Sequence, residues 1–299
     1  MFAIKTTQLT KKYKNFEALK NINFSIQQGD FFALLWINGA GKSTIIWILT
    51  DLVKKTSGKV EIFWVDIDEN FSQAKSLIWV VPQEFNLDIF SRVIDVLTTQ
   101  AWYFWIEKNI AEKKAVELLK ELWLFDKKEQ KVIQLSWGMK RRLMIARALI
   151  HSPKLLILDE PTAGIDINLR KSTYEFLEKL NKSGMTILLT THYLEEVERL
   201  CNSLAVIKNW EIIINSSKKE FFEKMEDSTF EIILEKNYKT LDFLQEFHHE
   251  IQENILKISI SKKKNLNQIF ELLNKNNIWY SNIQNTTNEL ESLFETLTS

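Results

Sequence analysis

Residues 31 to 44, "FFALLWINGAGKST", constrain the fold more than any other part of the chain. An apolar run of strand length leads into a glycine-containing loop, and helical character begins at Lys42. The loop matches the phosphate-binding pattern G-x-x-x-x-G-K-[ST], except that Trp36 stands at the first glycine. Backbone N–H groups of Asn38, Gly39, Ala40, Gly41, Lys42, Ser43 and Thr44 are expected to wrap phosphate oxygens, helped by the field of the helix N-terminus. Trp36 joins this set by its motif position. Lys42 is expected to reach the β- and γ-phosphates and Ser43 to bind Mg²⁺.

A second motif, "LLILDEP", ends a buried apolar strand in Asp159 and Glu160. Such a strand delivers Asp159 to the C-terminal edge of an open α/β sheet, where it can hold Mg²⁺ through water. Glu160 is then placed to polarise an attacking water. Taken alone, Asp-Glu-Pro is equally a strand-ending turn. Strand signals recur at 154–161, 185–192 and 204–207 between helical stretches, which predicts an α/β fold with a largely parallel sheet covered on both faces.

Residues 1–30 alternate like paired strands, and "GKVEIF" suggests another pair. The run from about 92 to 150 has helical periodicity and reads as an inserted helical subdomain. Beyond about 216, "TFEIILEK", "NILKISI" and a closing helix "NELESLFETLT" suggest an α+β appendage. The expected division is a domain over 2–215 and an accessory region over 216–299.

Lys plus Arg and Asp plus Glu both number 39, so net charge implies no polyanion-binding surface and no nucleic-acid partner. The single cysteine, Cys201, excludes an internal disulfide and a cysteine metal cluster, and its expected role is packing. No apolar run reaches about 18 residues and the first residues lack a signal-peptide core. A cytoplasmic, soluble chain is expected.

The order of motifs carries a resemblance. "LSWGMKRRLMIARAL" at 135–149 precedes "LLILDEPTAGID" and then "TTHYLEEVE". Together with the phosphate loop, this resembles the nucleotide-binding domain of ATP-binding cassette (ABC) transporters, a P-loop NTPase, over about 2–215. The resemblance implies ATP and Mg²⁺ as ligands, with Tyr13 stacking on adenine. It implies Gln83 as the loop glutamine that senses Mg²⁺, His192 as the switch histidine at the γ-phosphate, and Asp166 in the loop that communicates across a dimer. It further implies a head-to-tail homodimer in which Ser136 and Gly138 meet the γ-phosphate held by the partner. The phrasing is most like ATPase subunits of ABC-2 type exporters, which implies a separate permease gripped by the helical subdomain and attachment to the inner face of the membrane through it. Exposed apolar residues near Tyr103 and Phe104 are candidates for that grip or for packing within the subdomain. A soluble ABC ATPase without transport, or a catalytically silent module, remains the alternative.

The silent alternative arises from the tryptophans. The chain has 10 Trp and 7 Gly. Trp36 and Trp137 fall on glycine positions of the two phosphate motifs, and Trp64, Trp79 and Trp210 also sit where relatives usually carry glycine. Reading all ten as glycine raises glycine to roughly 6%, near the usual ~7%. The sequence therefore suggests a gene in which UGA means glycine. If the indoles are real, Trp137 crowds the signature loop.

Overall fold

The computed structural model describes residues 1–14, 16–36, 42–162, 167–224, 227–238, 240–244, 247–261 and 266–285. Asn38, Gly39, Ala40, Gly41, Asp166 and the expected closing helix lie outside the described residues. Contacts divide the chain into two compact units, 1–218 and 219–299.

The first unit begins with β1 (Phe2–Tyr13) and β2 (Phe16–Gln27), whose alternating residues bury one face and pair antiparallel. Next comes β3 (Phe31–Trp36), buried at every position as a central parallel strand must be, and then α1 (Lys42–Leu49). The edge pair β4 (Ser57–Ile62) and β5 (Val65–Asp66) follows, with Gly58 so close to the backbone of Gln8 that a Cβ would sit 2.3 Å from its carbonyl oxygen. Helix α2 (Phe71–Ser76) leads to β6 (Ile78–Val81).

The helical part contains α3 (Val93–Tyr103), α4 (Lys108–Glu121) and α5 (Trp137–Leu149), which pack on one another, while α5 also contacts β6. After it come β7 (Leu155–Asp159), α6 (Ile167–Lys182), β8 (Thr186–Thr191), α7 (Leu194–Leu200), β9 (Ser203–Lys208) and β10 (Glu211–Ser217).

Two sheets result. The smaller has the order β2-β1-β4-β5; the larger has β10-β9-β3-β8-β7-β6, parallel throughout except for the β9–β10 hairpin. Phe32, Leu34 and Trp36 from one face of β3 join Ile22, Phe24 and Ile26 of β2 and the apolar face of α1 in one core between the sheets. Cys201 is fully buried, and burial pushes its thiol pKa well up, consistent with a packing role.

The second unit holds most of α8 (Lys218–Lys224), then β11 (Asp227–Leu234), β12 (His248–Gln252), β13 (Ile255–Ser261), α9 (Leu266–Lys275) and β14 (Tyr280–Asn285). Its antiparallel sheet, ordered β12-β13-β11-β14, is packed by α9 through Ile269 and Leu273, one helical turn apart.

Four tight corners share one feature. In the β4–β5 hairpin, paired Ile62 and Val65 enclose Phe63 (φ 46°) and Trp64 (φ 67°). In the β9–β10 hairpin, paired Lys208 and Glu211 enclose Asn209 (φ 49°) and Trp210 (φ 66°). Positive φ at both central residues marks a type I′ turn, whose preferred sequence is Asn-Gly. Helices α3 and α4 end on Trp105 (φ 57°) and Trp123 (φ 54°). There the Trp105 and Trp123 N–H groups donate to the carbonyls of Trp102 and Lys120, and those of Ile106 and Leu124 to Ala101 and Leu119. That pair of bonds is the Schellman motif, with tryptophan at its glycine position. Each left-handed residue bearing a Cβ costs about 1–2 kcal/mol.

Candidate functional site

Strands β3, β6, β7 and β8 run parallel, so their C-terminal ends share one edge of the large sheet. Ligands of open α/β sheets bind outside such an edge. The strand ends bring Gln83, Asp159, Glu160 and His192 to it, because each lies just beyond or at the end of its strand, and Lys42 opens the helix that follows β3.

Glu160 is the centre of this corner. Its carboxylate accepts from the Gln83 side-chain amide at 2.9 Å and faces the His192 ring Nδ1 at 3.4 Å. Its side chain is 14% exposed against 48% for His192, so the carboxylate is held in a recess and the imidazole lies at the rim. Its backbone takes φ +46°, with its N–H donating to the Thr190 carbonyl at 3.0 Å. A non-glycine residue in that region costs roughly 1–3 kcal/mol and tends to mark a site that the surroundings over-determine. Beside it, the Thr190 hydroxyl donates to Asp159 at 2.6 Å.

On the loop side, Lys42 opens α1, Ser43 is half-buried and Thr44 is buried at the same helix start. Trp36 is the last residue of β3, and its indole lies in the core with a buried N–H that finds no acceptor among the described residues. The position expected to belong to an open loop is thus occupied by a core side chain. Tyr13 ends β1, 39% exposed, with the Lys11 ammonium 4.6 Å from its ring centre. Ser43, Gln83 and Asp159 supply hydroxyl, amide and carboxylate oxygens, a hard donor set that suits Mg²⁺.

Ser136 caps α5, accepting from the Met139 N–H at 3.3 Å; Gly138, the second residue of the helix, is buried. Between them Trp137 is 42% exposed and meets Phe85, close along the chain to Gln83, edge-on at 4.9 Å. The indole thus stands at the first position of the helix whose N-terminus would face an anion. The apolar pair named for a partner grip divides: Tyr103 is exposed, whereas Phe104 stacks on His151 at 3.9 Å.

Two features are absent from the sequence reading. Fully buried Arg141 spans the back of the site, and Arg142 donates to the Leu122 carbonyl at the end of α4. Buried Glu196 on α7 accepts from Thr162 and, at 3.2 Å, from Tyr174; burial raises the pKa of both acids, the carboxyl and the phenol. The only signal for either was a charged residue inside an apolar helical period, at "KRRLMIARAL" and "LEEVERL".

A parallel sheet whose loop-bearing edge gathers a lysine-led helix start, an Asp–Glu pair, a glutamine and a histidine defines a P-loop nucleotide-hydrolysing domain. The chain matches the ABC transporter family over residues 19–163. It is 36% identical over 226 residues to a linearmycin resistance ATP-binding protein of Bacillus subtilis (strain 168), covering 76% of this chain and 73% of that one. It is 40% identical over 200 residues to a Nod factor export ATP-binding protein I of Cupriavidus pinatubonensis; there it covers 67% of this chain and spans only 62% of the relative's length. Among solved structures, cbiO1 from Clostridium perfringens, part of an ABC transporter complex, superposes with a TM-score of 0.68 at 30% identity, over 74% of this chain and 90% of that one. A dimeric ATP-binding cassette in a post-hydrolysis state, bound to ADP and Pi, superposes with a TM-score of 0.64 at 29% identity, over 72% and 98% of the two chains. This chain belongs to the ABC transporter family, as one of its ATP-hydrolysing cassettes. No helix among the described residues is long and apolar enough to cross a membrane.

Proposed function

We propose that this cassette is the ATP-hydrolysing subunit of an ABC-2 type exporter, energising a separate membrane permease that holds it at the inner face of the membrane. The observation that supports this reading best is the convergence of Gln83 and His192 on the Glu160 carboxylate, 2.9 and 3.4 Å away, at the loop-bearing edge of the sheet. The relatives named for export and for antibiotic resistance support the transport role.

In this reading the phosphate loop, Lys42, Ser43 and Thr44 bind the triphosphate, and Tyr13 turns its face from the Lys11 ammonium to adenine. Ser43, Gln83 and Asp159 would hold Mg²⁺, which would supply charge neutralisation for the phosphates. Glu160 takes a proton from water as the water oxygen attacks the γ-phosphorus; the bond to the β–γ bridging oxygen breaks, leaving ADP and phosphate. His192 steadies the γ-phosphate from the rim. A second copy closes head-to-tail, placing its Ser136 and Gly138 on the same γ-phosphate. Closing over ATP turns binding energy into domain motion, and hydrolysis releases it.

Co-expression with candidate permeases drawn from the neighbouring genes, followed by ATPase assay in bilayers, tests the reading. Co-purification with ATPase activity modulated by one of them is expected. A cassette that hydrolyses ATP but binds no membrane protein returns the reading to a cassette uncoupled from transport.

A further inference from the structure

We infer that Arg141 is a positioning residue for ATP hydrolysis, resting on the reading of Glu160 and Gln83 above. Its guanidinium is completely buried, five residues into α5 from the Ser136 cap. Nε donates to the Pro161 carbonyl at 2.9 Å; Nη1 donates to Pro82 at 2.5 Å and Gln83 at 3.0 Å; Nη2 donates to Asp159 at 2.7 Å and Glu160 at 2.6 Å. All five N–H donors of an arginine are thereby consumed by two chain segments.

Those segments carry the glutamine and the general base, and they come from different strands, β6 and β7. Glu160 sits in a left-handed conformation, so the carbonyls on either side of it converge, and the guanidinium is what they converge on. The neighbouring Arg142 binds the end of α4. One helix therefore joins the helical part, through Arg142, to the catalytic corner, through Arg141. Movement of α5 at its phosphate-facing start reaches Glu160 and Gln83 directly. Burial pulls the Arg141 pKa down to about 10, against the pull of Asp159, Glu160 and Glu196, so the group stays charged at neutral pH.

Lysine cannot span five acceptors and methionine offers no donor. The test compares R141M and R141K with the parent full chain by kcat, KM for ATP, and ATP affinity by equilibrium titration. R141M is expected to lose on the order of 10²-fold in kcat, the scale of a small misplacement of reacting groups, with ATP affinity within about threefold. R141K is expected to fall between. A folded R141M with parental kcat overturns the inference, as does a loss carried equally by ATP affinity. If R141M fails to fold, R141K decides by the same split. An inactive parent, made with the residues its own gene specifies at 36 and 137, counts against the hydrolytic reading itself rather than against Arg141.

A separate observation carries a second inference: we propose that the tryptophan positions of this chain are occupied by glycine in the natural polypeptide, through a code that reads UGA as glycine. Four of the ten tryptophans have left-handed backbone, and each stands where turn geometry asks for glycine. Trp64 and Trp210 hold the second place of a type I′ turn, the latter in an Asn-Trp pair where Asn-Gly is the strongest hairpin signal. Trp105 and Trp123 hold the glycine position of a Schellman motif. Backbone geometry and motif position are independent, since Trp36 and Trp137 have no positive φ yet fall on motif glycines. Peptide mass spectrometry of the protein from its own cells, beside the coding DNA, decides. UGA codons with glycine in the peptides at 64, 105, 123 and 210 are expected. UGG codons, or tryptophan in those peptides, overturn the proposal.

Discussion

The two compact units bury different chemistry. In residues 1–218 the interior holds Arg141, Arg142, Glu196 and several threonines; among the described residues of 219–299, every buried side chain is apolar. Buried polar groups are costly unless their bonds are satisfied, and they rigidify what they join when they are. The cassette therefore spends stability on positioning, and the C-terminal unit on folding alone. Chemistry should be lost by changing the first and stability by changing the second.

The largest separation is expected at Glu160. Glu160→Gln should reduce ATP turnover by roughly 10²–10⁴-fold while leaving ATP binding intact, as loss of a general base does. Steady-state hydrolysis beside nucleotide titration checks it. In the C-terminal unit, Leu273→Ala removes a fully buried side chain from the face of α9. It should cost about 2–5 kcal/mol of that unit's stability with unchanged turnover per folded molecule, by denaturant titration and ATPase assay. A fall in turnover there would show that the two units are not functionally separate.

A smaller effect is expected at the phosphate loop. Lys42→Ala should weaken ATP affinity about tenfold to a hundredfold, the worth of a charged hydrogen bond; unchanged affinity would remove the loop assignment. The smallest concerns His151, stacked on Phe104 and edge-on to Trp79. Burial depresses its pKa from 6.5 to about 4. The folded state thus favours the neutral ring, and that stability is present above pH 6.5 and lost as pH falls toward 4. Thermal unfolding should show a loss on the order of 1–2 kcal/mol across that window, absent in His151→Phe.

The sheet and the edge that carries the candidate site were legible because continuous apolar runs such as "FFALL" and "LLIL" favour a buried parallel strand, whose end carries its next residue to the common edge. Strand β10 was not legible: its hairpin signal reads Asn209-Trp210 instead of Asn-Gly, so the turn was masked. Arg141 was hidden for another reason. Its partners are backbone carbonyls far along the chain, and a side chain's spacing within one helix says nothing about carbonyls gathered from two strands.

The central claim is that two copies of this cassette close on ATP. Sedimentation of the Glu160→Gln protein, carrying the residues its own gene specifies at 36 and 137, measures it directly. The account predicts monomers without nucleotide and dimers once ATP saturates the site, whereas monomers under both conditions would contradict it.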